Sequence, residues 1–140
     1  MFSPMKLLLV IILGHWCCNG TYGQEWGDQI PPDEVYVQEP VNYDGSEATP
    51  LIIFLHGYGP VNGGWADALL IGVADPAYYE GYLFTAPDGS YDSWGFYFWD
   101  GGEACCDFDD ANPDHVGYIE ALVDSIQMSH NVDPQRIHLI

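Results

Sequence analysis

The chain has 140 residues, of which 48% are hydrophobic, and it carries 21 acidic against two basic residues for a formal net charge of −19. This length suits one domain, and the apolar fraction excludes an intrinsically disordered acidic polymer because it can build a core. The charge excludes a nucleic-acid partner, since binding to phosphates needs a basic face. We therefore expect one acidic globular domain, or a part of one.

The first 23 residues have the pattern of a secretory signal peptide. Lys6 precedes an unbroken apolar run at residues 7–13, and small residues that suit signal peptidase follow at Gly20 and Gly23. The run is too short to span a bilayer, which takes about 20 residues; the alternative for it is a short core strand. We expect residues 1–23 to be removed and residues 24–140 to be secreted, with no membrane association after cleavage.

Cleavage would leave two of the four cysteines, Cys105 and Cys106. In an oxidising compartment thiols tend to pair, but adjacent cysteines join only through a strained ring. We therefore expect disulfide partners for them elsewhere in the protein. The rest of the mature sequence offers none, which favours the hypothesis that this is the N-terminal portion of a longer chain.

The first half of the mature sequence predicts two strands and a helix. Residues 34–41 alternate roughly and predict an edge strand. Residues 51–55 are apolar at every position, which is typical of a strand buried on both faces of a parallel sheet. After a glycine-rich loop, an i, i+3, i+4, i+7 pattern predicts one face of a helix. That face comprises Ala66, Leu69, Leu70 and Val73.

The second half continues the alternation of strands and helices. Residues 82–86 predict a buried strand, residues 88–112 a long irregular segment, and Asn112-Pro113-Asp114 a helix start. This helix should run to about Ser129 and be followed by a strand at residues 137–140. Its predicted apolar face comprises Val116, Ile119, Leu122, Val123 and Ile126. The order predicts an α/β domain with a mostly parallel sheet flanked by helices. A buried parallel strand with no closing helix again favours a partial domain.

The segment His56-Gly57-Tyr58-Gly59 directly follows the first buried strand. Backbone N–H groups at the carboxyl end of such a strand can point at a developing oxyanion. The glycines would let a substrate approach the backbone, and the histidine side chain can brace the loop. A tight turn that needs glycine torsions is the alternative interpretation.

From residue 34 to residue 140 the sequence resembles secreted α/β-hydrolase esterases of the polyhydroxybutyrate depolymerase and feruloyl or acetylxylan esterase type. The segments that carry the resemblance are Tyr43-Asp44-Gly45, residues 50–59, residues 86–89, Trp99 with Cys105-Cys106, residues 116–119 and residues 132–137. It implies the N-terminal half of an α/β-hydrolase fold, truncated before the nucleophile elbow. It also implies that Tyr58 contributes a backbone N–H to the oxyanion hole, and that Cys105 and Cys106 bond to residues elsewhere in the full domain.

None of the six serines lies in a G-x-S-x-G context, so we place no catalytic residue within this chain. His115, His130 and His138 then have no nucleophile to serve, and structural roles are expected for His130 and His138. The resemblance implies a serine esterase that uses no cofactor and hydrolyses small-molecule or polymeric esters, either polyesters or the feruloyl and acetyl esters of plant cell walls. The 140 residues alone should be inactive.

Two other functions remain open from the residues themselves. The aromatic stretch at residues 91–99 can line a substrate cleft, with Trp94 and Trp99 as candidates, or fill the core. A secreted carbohydrate-binding module is therefore one alternative.

Asp110-x-Asn112-x-Asp114 resembles the start of a calcium loop, although His115 and Ala121 stand where that loop needs Gly and Glu. We expect a solvated, helix-capping acidic loop and no metal, with a calcium-stabilised module as the other alternative.

Overall fold

The computed structural model describes residues 29–59 and 63–140. The expected signal peptide at residues 1–23, with Cys17 and Cys18, lies outside the described residues. The strands are β1 (Thr49–Ile53), β2 (Leu83–Thr85), β3 (Ser90–Tyr91), β4 (Tyr97–Phe98) and β5 (Val132–Leu139). The α-helices are α1 (Gly64–Ile71), α2 (Ala74–Glu80) and α3 (His115–Ser129), and a short 3₁₀ helix covers Gly102–Ala104.

A three-stranded parallel sheet, in the order β2-β1-β5, forms the centre of the domain. Leu51 on β1 pairs with Leu83 of β2 on one side and with Ile137 of β5 on the other. The apolar run of β1 suits this position, because a central strand covered on both faces offers no side for polar residues. The predicted α/β class, with a parallel sheet and flanking helices, is confirmed.

Successive residues of the central strand serve two separate cores. Leu51 and Ile53 belong to the core on the α3 side, whereas Ile52 and Phe54 belong to the core on the side of α1 and α2. This follows from the pleat, which sends alternate side chains to opposite faces. The first core also takes Leu83, Tyr118, Leu122, Ile126 and Val132, and the second takes Phe84 and the alanines Ala68, Ala74, Ala77 and Ala86.

The buried face of α3 differs in part from the prediction. The helix begins at His115, with the Asp114 side chain accepting the Gly117 N–H at 2.9 Å. Its fully buried positions are His115, Tyr118, Leu122 and Ile126. Val116 is 72% exposed, so its assignment to the face was wrong. The face is centred instead on a histidine and a tyrosine whose polar atoms find partners inside the domain.

The sequence prediction of which residues form the buried face of α1 was wrong. Leu69 and Leu70 are 62% and 79% exposed, whereas Ala68 is fully buried. A Cβ on Gly64 would lie 2.5 Å from the Ala86 carbonyl oxygen, so small residues four apart let α1 approach the end of β2 closely. The chain then breaks at Gly72, in the left-handed region at φ 74°, and α2 follows as a separate helix.

Three other expectations need correction. Residues 34–41 form no strand but a single antiparallel bridge between Gln38 and Phe84. The segment expected to be irregular contains an antiparallel hairpin, in which Tyr91 pairs with Tyr97. Strand β5 starts at Val132 rather than at residue 137, because Pro134, which has no N–H to donate, is tolerated on an edge strand. None of the helices in the described residues is long and apolar enough to cross a membrane.

Candidate active site

The loop that follows β1 lies at the carboxyl edge of the sheet, next to the end of β5. The Leu55 N–H donates to the Ile140 carbonyl at 2.7 Å, and the Ile140 N–H donates to the Ile53 carbonyl at 3.0 Å. The parallel arrangement therefore brings the end of β5 alongside the start of loop 56–59. Carboxyl ends of parallel strands are where ligands bind in open α/β sheets.

His56 fixes this loop through both ring nitrogens. The Gly89 N–H donates to His56 Nε2 at 2.9 Å, so this nitrogen must be unprotonated because a backbone N–H can only donate. The proton then lies on Nδ1, which is 2.8 Å from the Gly57 carbonyl oxygen and donates to it. His56 is 5% exposed, and as a neutral imidazole it joins the ends of β1 and β2.

The loop leaves two backbone donors without a protein acceptor. Gly59 exchanges hydrogen bonds with Tyr97, its N–H donating at 3.3 Å and its carbonyl accepting at 3.2 Å. In residues 29–59 and 63–140, no acceptor pairs with the N–H of Gly57 or of Tyr58. A Cβ built on Gly57 would meet no atom within 4 Å, so the space around this residue is open. Two free N–H groups beside open space can stabilise a negative oxygen.

The Tyr58 side chain is held by the carboxylate of Asp92. Its hydroxyl donates to Asp92 Oδ2 at 2.7 Å, while Oδ1 accepts the N–H groups of Trp94 and Phe96 at 2.9 and 2.8 Å. Desolvation, together with this hydrogen bond and the charge of Asp92, raises the pKa of Tyr58 to about 12. Burial alone would raise the pKa of Asp92, but the hydrogen bonds it accepts outweigh burial and lower that pKa.

The two tryptophans proposed for a substrate cleft occupy different environments. Trp94 is 66% exposed at the tip of the hairpin. Trp99 packs against the α3-side core, with its ring centroid 5.7 Å from that of His56 and 5.0 Å from that of His115. Its buried Nε1 has no acceptor in the described part of the chain. Trp99 is thus partly buried beside the loop, whereas Trp94 is largely exposed to a ligand at the surface.

Ser90 and His115 lie close together but do not form a catalytic pair. Ser90 Oγ is 3.0 Å from His115 Nε2, and the Asp100 N–H donates to His115 Nδ1 at 2.7 Å. Since Nδ1 must accept, the proton lies on Nε2 and is donated to Ser90. Such a histidine cannot take the serine proton. Burial lowers the pKa of His115, against the opposing charges of Asp100, Asp107 and Asp114.

The end of β2 is tied to the start of α1 by Asp88. Its Oδ1 accepts the Gly64 N–H at 2.6 Å, where the helix has an unpaired donor. Gly63, at φ 86°, approaches the same carboxylate so closely that a Cβ there would collide with it. The segment Ala86-Pro87-Asp88-Gly89 therefore both caps α1 and holds His56 through Gly89.

The remaining sequence candidates have local partners. The sulfur atoms of Cys105 and Cys106 contact each other. Asp107 accepts the N–H groups of Ala111 and Asn112 at 2.9 and 2.6 Å, and Asp114 caps α3. Within residues 29–59 and 63–140, no group of three or more His, Cys, Asp or Glu side chains could hold a metal ion. This acidic loop thus serves turns and a helix cap.

The other two histidines of the described residues, His130 and His138, lie away from the loop. His130 follows the end of α3, with its Nε2 3.5 Å from a carboxylate oxygen of Glu39. His138 is exposed on β5 and contacts the ring of Tyr82. A cavity of about 350 Å³ lies at the opposite, amino-terminal edge of the sheet, lined by residues 40–47 with Thr49 and Gly81. It is remote from His56 and is lined mostly by polar atoms.

Three residues that shape this region had no role predicted from the sequence. Asp92 orders the hairpin tip, Gly89 donates its N–H to His56, and Phe108 contacts Tyr58 with ring centroids 5.3 Å apart. A signal for the first was present, since Asp92-Ser93-Trp94-Gly95 has the Asp and Gly that favour a turn at its first and fourth positions. The other two depend on contacts between distant segments.

The chain matches no protein-family model and no curated protein. It is a small α/β domain with a three-stranded parallel sheet, flanking helices and a two-stranded antiparallel hairpin. The loop at residues 56–59 and its surroundings are the candidate functional site of this domain.

Proposed function

We propose that the chain is the oxyanion-loop portion of a secreted serine esterase that hydrolyses polyesters or feruloyl and acetyl esters of plant cell walls. The observation that carries the proposal is the pair of N–H groups at Gly57 and Tyr58, which have no acceptor within the described residues, with open space at Gly57 at the end of the central strand. The resemblance of residues 34–140 to such esterases supports it independently. The reaction needs no cofactor.

The chemistry assigned to the loop is stabilisation of charge. When a serine attacks an ester carbonyl, the carbonyl oxygen becomes an anion in the tetrahedral intermediate. The N–H groups of Gly57 and Tyr58 would donate to that anion, and losing one such donor typically costs 10²–10³-fold in kcat. His56 would act as a positioning residue, because its bonds to Gly57 and Gly89 hold the loop in place without touching substrate.

The nucleophile in this proposal lies in sequence that follows residue 140. Ser90 and His115 are excluded as a nucleophile and base by the proton position derived above. The ends of β1 and β5 are adjacent, so a turn after β5 would emerge beside loop 56–59. A serine on that turn would lie near the N–H groups of Gly57 and Tyr58. The described residues would supply the oxyanion donors and one wall of the site.

The experiment uses the complete gene and the secreted protein that it encodes. The coding sequence after the codon for Ile140 should specify a G-x-S-x-G turn, and the protein should hydrolyse p-nitrophenyl acetate. Gly57→Pro removes one N–H donor, while the matched control Gly57→Ala keeps it and places its Cβ in open space. We expect Gly57→Pro to lower kcat by about 10²-fold or more and Gly57→Ala to retain most activity.

Melting temperatures of both variants separate a lost donor from a lost fold. If Gly57→Pro keeps the wild-type melting temperature and full kcat, the oxyanion assignment is wrong and residues 56–59 are only a turn. The esterase proposal itself is wrong if the complete protein hydrolyses none of these esters. It is also wrong if the 140 residues alone show turnover that Ser90→Ala abolishes.

A further inference from the structure

Three aromatic side chains form an exposed surface at the hairpin tip, which we call the aromatic platform (Tyr58, Trp94 and Phe108). They are 36%, 66% and 59% exposed. The Phe108 ring contacts both others, with centroids 5.3 Å from Tyr58 and 6.1 Å from Trp94. The planes of Trp94 and Phe108 differ by only 34°, and both rings are more than half exposed.

Polar bonds hold the aromatic platform at the surface. Asp92 accepts both the Tyr58 hydroxyl and the Trp94 N–H, at 2.7 and 2.9 Å. Asp109, the neighbour of Phe108, accepts the N–H and the hydroxyl of Ser93 at 2.5 and 2.9 Å. Asp92 thus joins the hairpin to the loop at residues 56–59, and Asp109 joins it to the loop at residues 107–112. The Tyr58 ring and the backbone that carries Trp94 and Phe108 are therefore ordered before any ligand arrives, which lowers the ordering cost of binding.

We propose that the aromatic platform binds an uncharged polysaccharide, by stacking pyranose rings on Trp94 and Phe108. The C–H groups on a pyranose face carry partial positive charge, and an aromatic face is negative, so the two attract. The hydroxyl groups around the sugar are hydrogen-bond donors, and the surrounding segments are rich in acceptors at Asp107, Asp109 and Asp110. This inference does not depend on the proposed esterase activity.

The size of the platform argues against a protein partner or a second copy of the chain. Its exposed aromatic area is on the order of 350 Å², taking full burial of such side chains as roughly 150–250 Å² each. A stable protein interface buries about 800 Å² on each partner. Carboxylates also interrupt the patch, whereas the centre of a protein interface is depleted in charge. A stacked sugar chain needs only the ring faces.

Shape and charge exclude two other classes of ligand. Small aryl compounds bind in concave sites that bury most of the ligand, whereas these rings stand exposed and the 350 Å³ cavity lies at the other edge of the sheet. Polyanions and anionic lipid surfaces would be repelled by the negative charge of this strongly acidic protein. Arg136, the one Lys or Arg in the described residues, is bonded to Asp133. A neutral polymer avoids this repulsion.

The test is adsorption of the full-length secreted protein to insoluble cellulose and unsubstituted β-xylan, which contain no ester. We expect saturable adsorption that weakens about tenfold in Trp94→Ala and further in the Trp94→Ala/Phe108→Ala double variant, as expected for the loss of one stacked ring at ~1.4 kcal/mol. Tyr79→Ala is the matched control, since Tyr79 is 71% exposed on α2, and it should adsorb like the wild type. Soluble polygalacturonate should not compete.

Several outcomes would overturn the proposal. They are no adsorption of the wild type to either polymer, equal adsorption of the double variant at an unchanged melting temperature, or equally strong binding of polygalacturonate. A dimer in size-exclusion chromatography that Trp94→Ala dissociates would assign the platform to self-association instead. Because adsorption is measured without hydrolysis, its result can be interpreted even if the esterase proposal fails.

Discussion

The Gly89 N–H donates to His56 Nε2 at 2.9 Å, joining residues 33 positions apart at the carboxyl ends of β1 and β2. The fit is tight, because a Cβ on Gly89 would collide with the Phe98 carbonyl and lie 3.4 Å from His56 Nε2. One hydrogen bond thus fixes the loop at residues 56–59 against the start of the hairpin.

Substituting Gly89 by alanine should destabilise the domain strongly. The atom that its Cβ would meet belongs to a backbone carbonyl, which cannot move aside without displacing β4. We expect a loss of about 3 kcal/mol, at the upper end for overpacking, measured as a lower denaturant midpoint. Gly57→Ala is the control, since its Cβ meets nothing within 4 Å, and should change stability by less than ~0.5 kcal/mol. Equal effects of the two substitutions would contradict this packing.

Removing the His56 side chain should leave a buried donor without an acceptor. His56→Ala deprives the Gly89 N–H of its partner and opens a cavity beside Trp99, so we expect a loss of about 2–4 kcal/mol in the free energy of unfolding. His138→Ala, at an exposed position of β5, should lie within ~0.5 kcal/mol of the wild type. Thermal melts of both variants measure the difference; a stable His56→Ala protein would show that the junction is dispensable.

The stability of the domain should fall in mild acid because of His115. Burial lowers the pKa of His115 in the folded state below the ordinary value of 6.5, so the unfolded chain takes up its proton first as the pH falls. This contribution is complete above about pH 6.5 and is lost as the pH drops from there toward the folded pKa. His115→Asn, which keeps an acceptor for the Asp100 N–H, should flatten the dependence of the melting temperature between about pH 7 and 5. His138→Asn should leave it unchanged, and a flat wild-type profile in this range would refute the assignment.

The phenol of Tyr58 should titrate late. Its pKa, raised to about 12 by desolvation and by the Asp92 carboxylate, keeps it neutral at pH values where an ordinary tyrosine ionises. A raised tyrosine pKa stabilises the fold below about pH 10, and this contribution is lost as the pH rises from 10 to 12. Asp92→Asn removes the nearby charge and should lower the Tyr58 midpoint, though not to 10 because desolvation remains. NMR of isotope-labelled tyrosine, with the signal assigned by Tyr58→Phe, measures the ionisation midpoint of Tyr58. A midpoint that Asp92→Asn does not change would exclude the contact between Tyr58 and Asp92.

Local patterns in the sequence predicted the elements whose environment is uniform along their length. The apolar run at residues 51–55 predicted a central parallel strand, because a strand covered on both faces has no polar position. Asn112-Pro113-Asp114 predicted the start of α3 to within two residues, although Asp114 rather than Asn112 provides the N-cap. The loop at residues 56–59 lies at the carboxyl edge of the sheet, as predicted, because it directly follows a parallel strand.

Contacts between distant segments decided the rest. Leu69 and Leu70 fit a helical face, but the backbone of Gly64 had to meet the Ala86 carbonyl, and that contact turned Ala68 inward instead. Trp94 and Trp99 are alike in sequence, yet one lies exposed beside Phe108 and the other lies between the rings of His56 and His115. The protonated nitrogen of each buried histidine was likewise set by a backbone N–H from another segment, Gly89 for His56 and Asp100 for His115. A periodic pattern records only which residues are apolar, whereas close packing and buried hydrogen bonds depend on which segments the fold brings together.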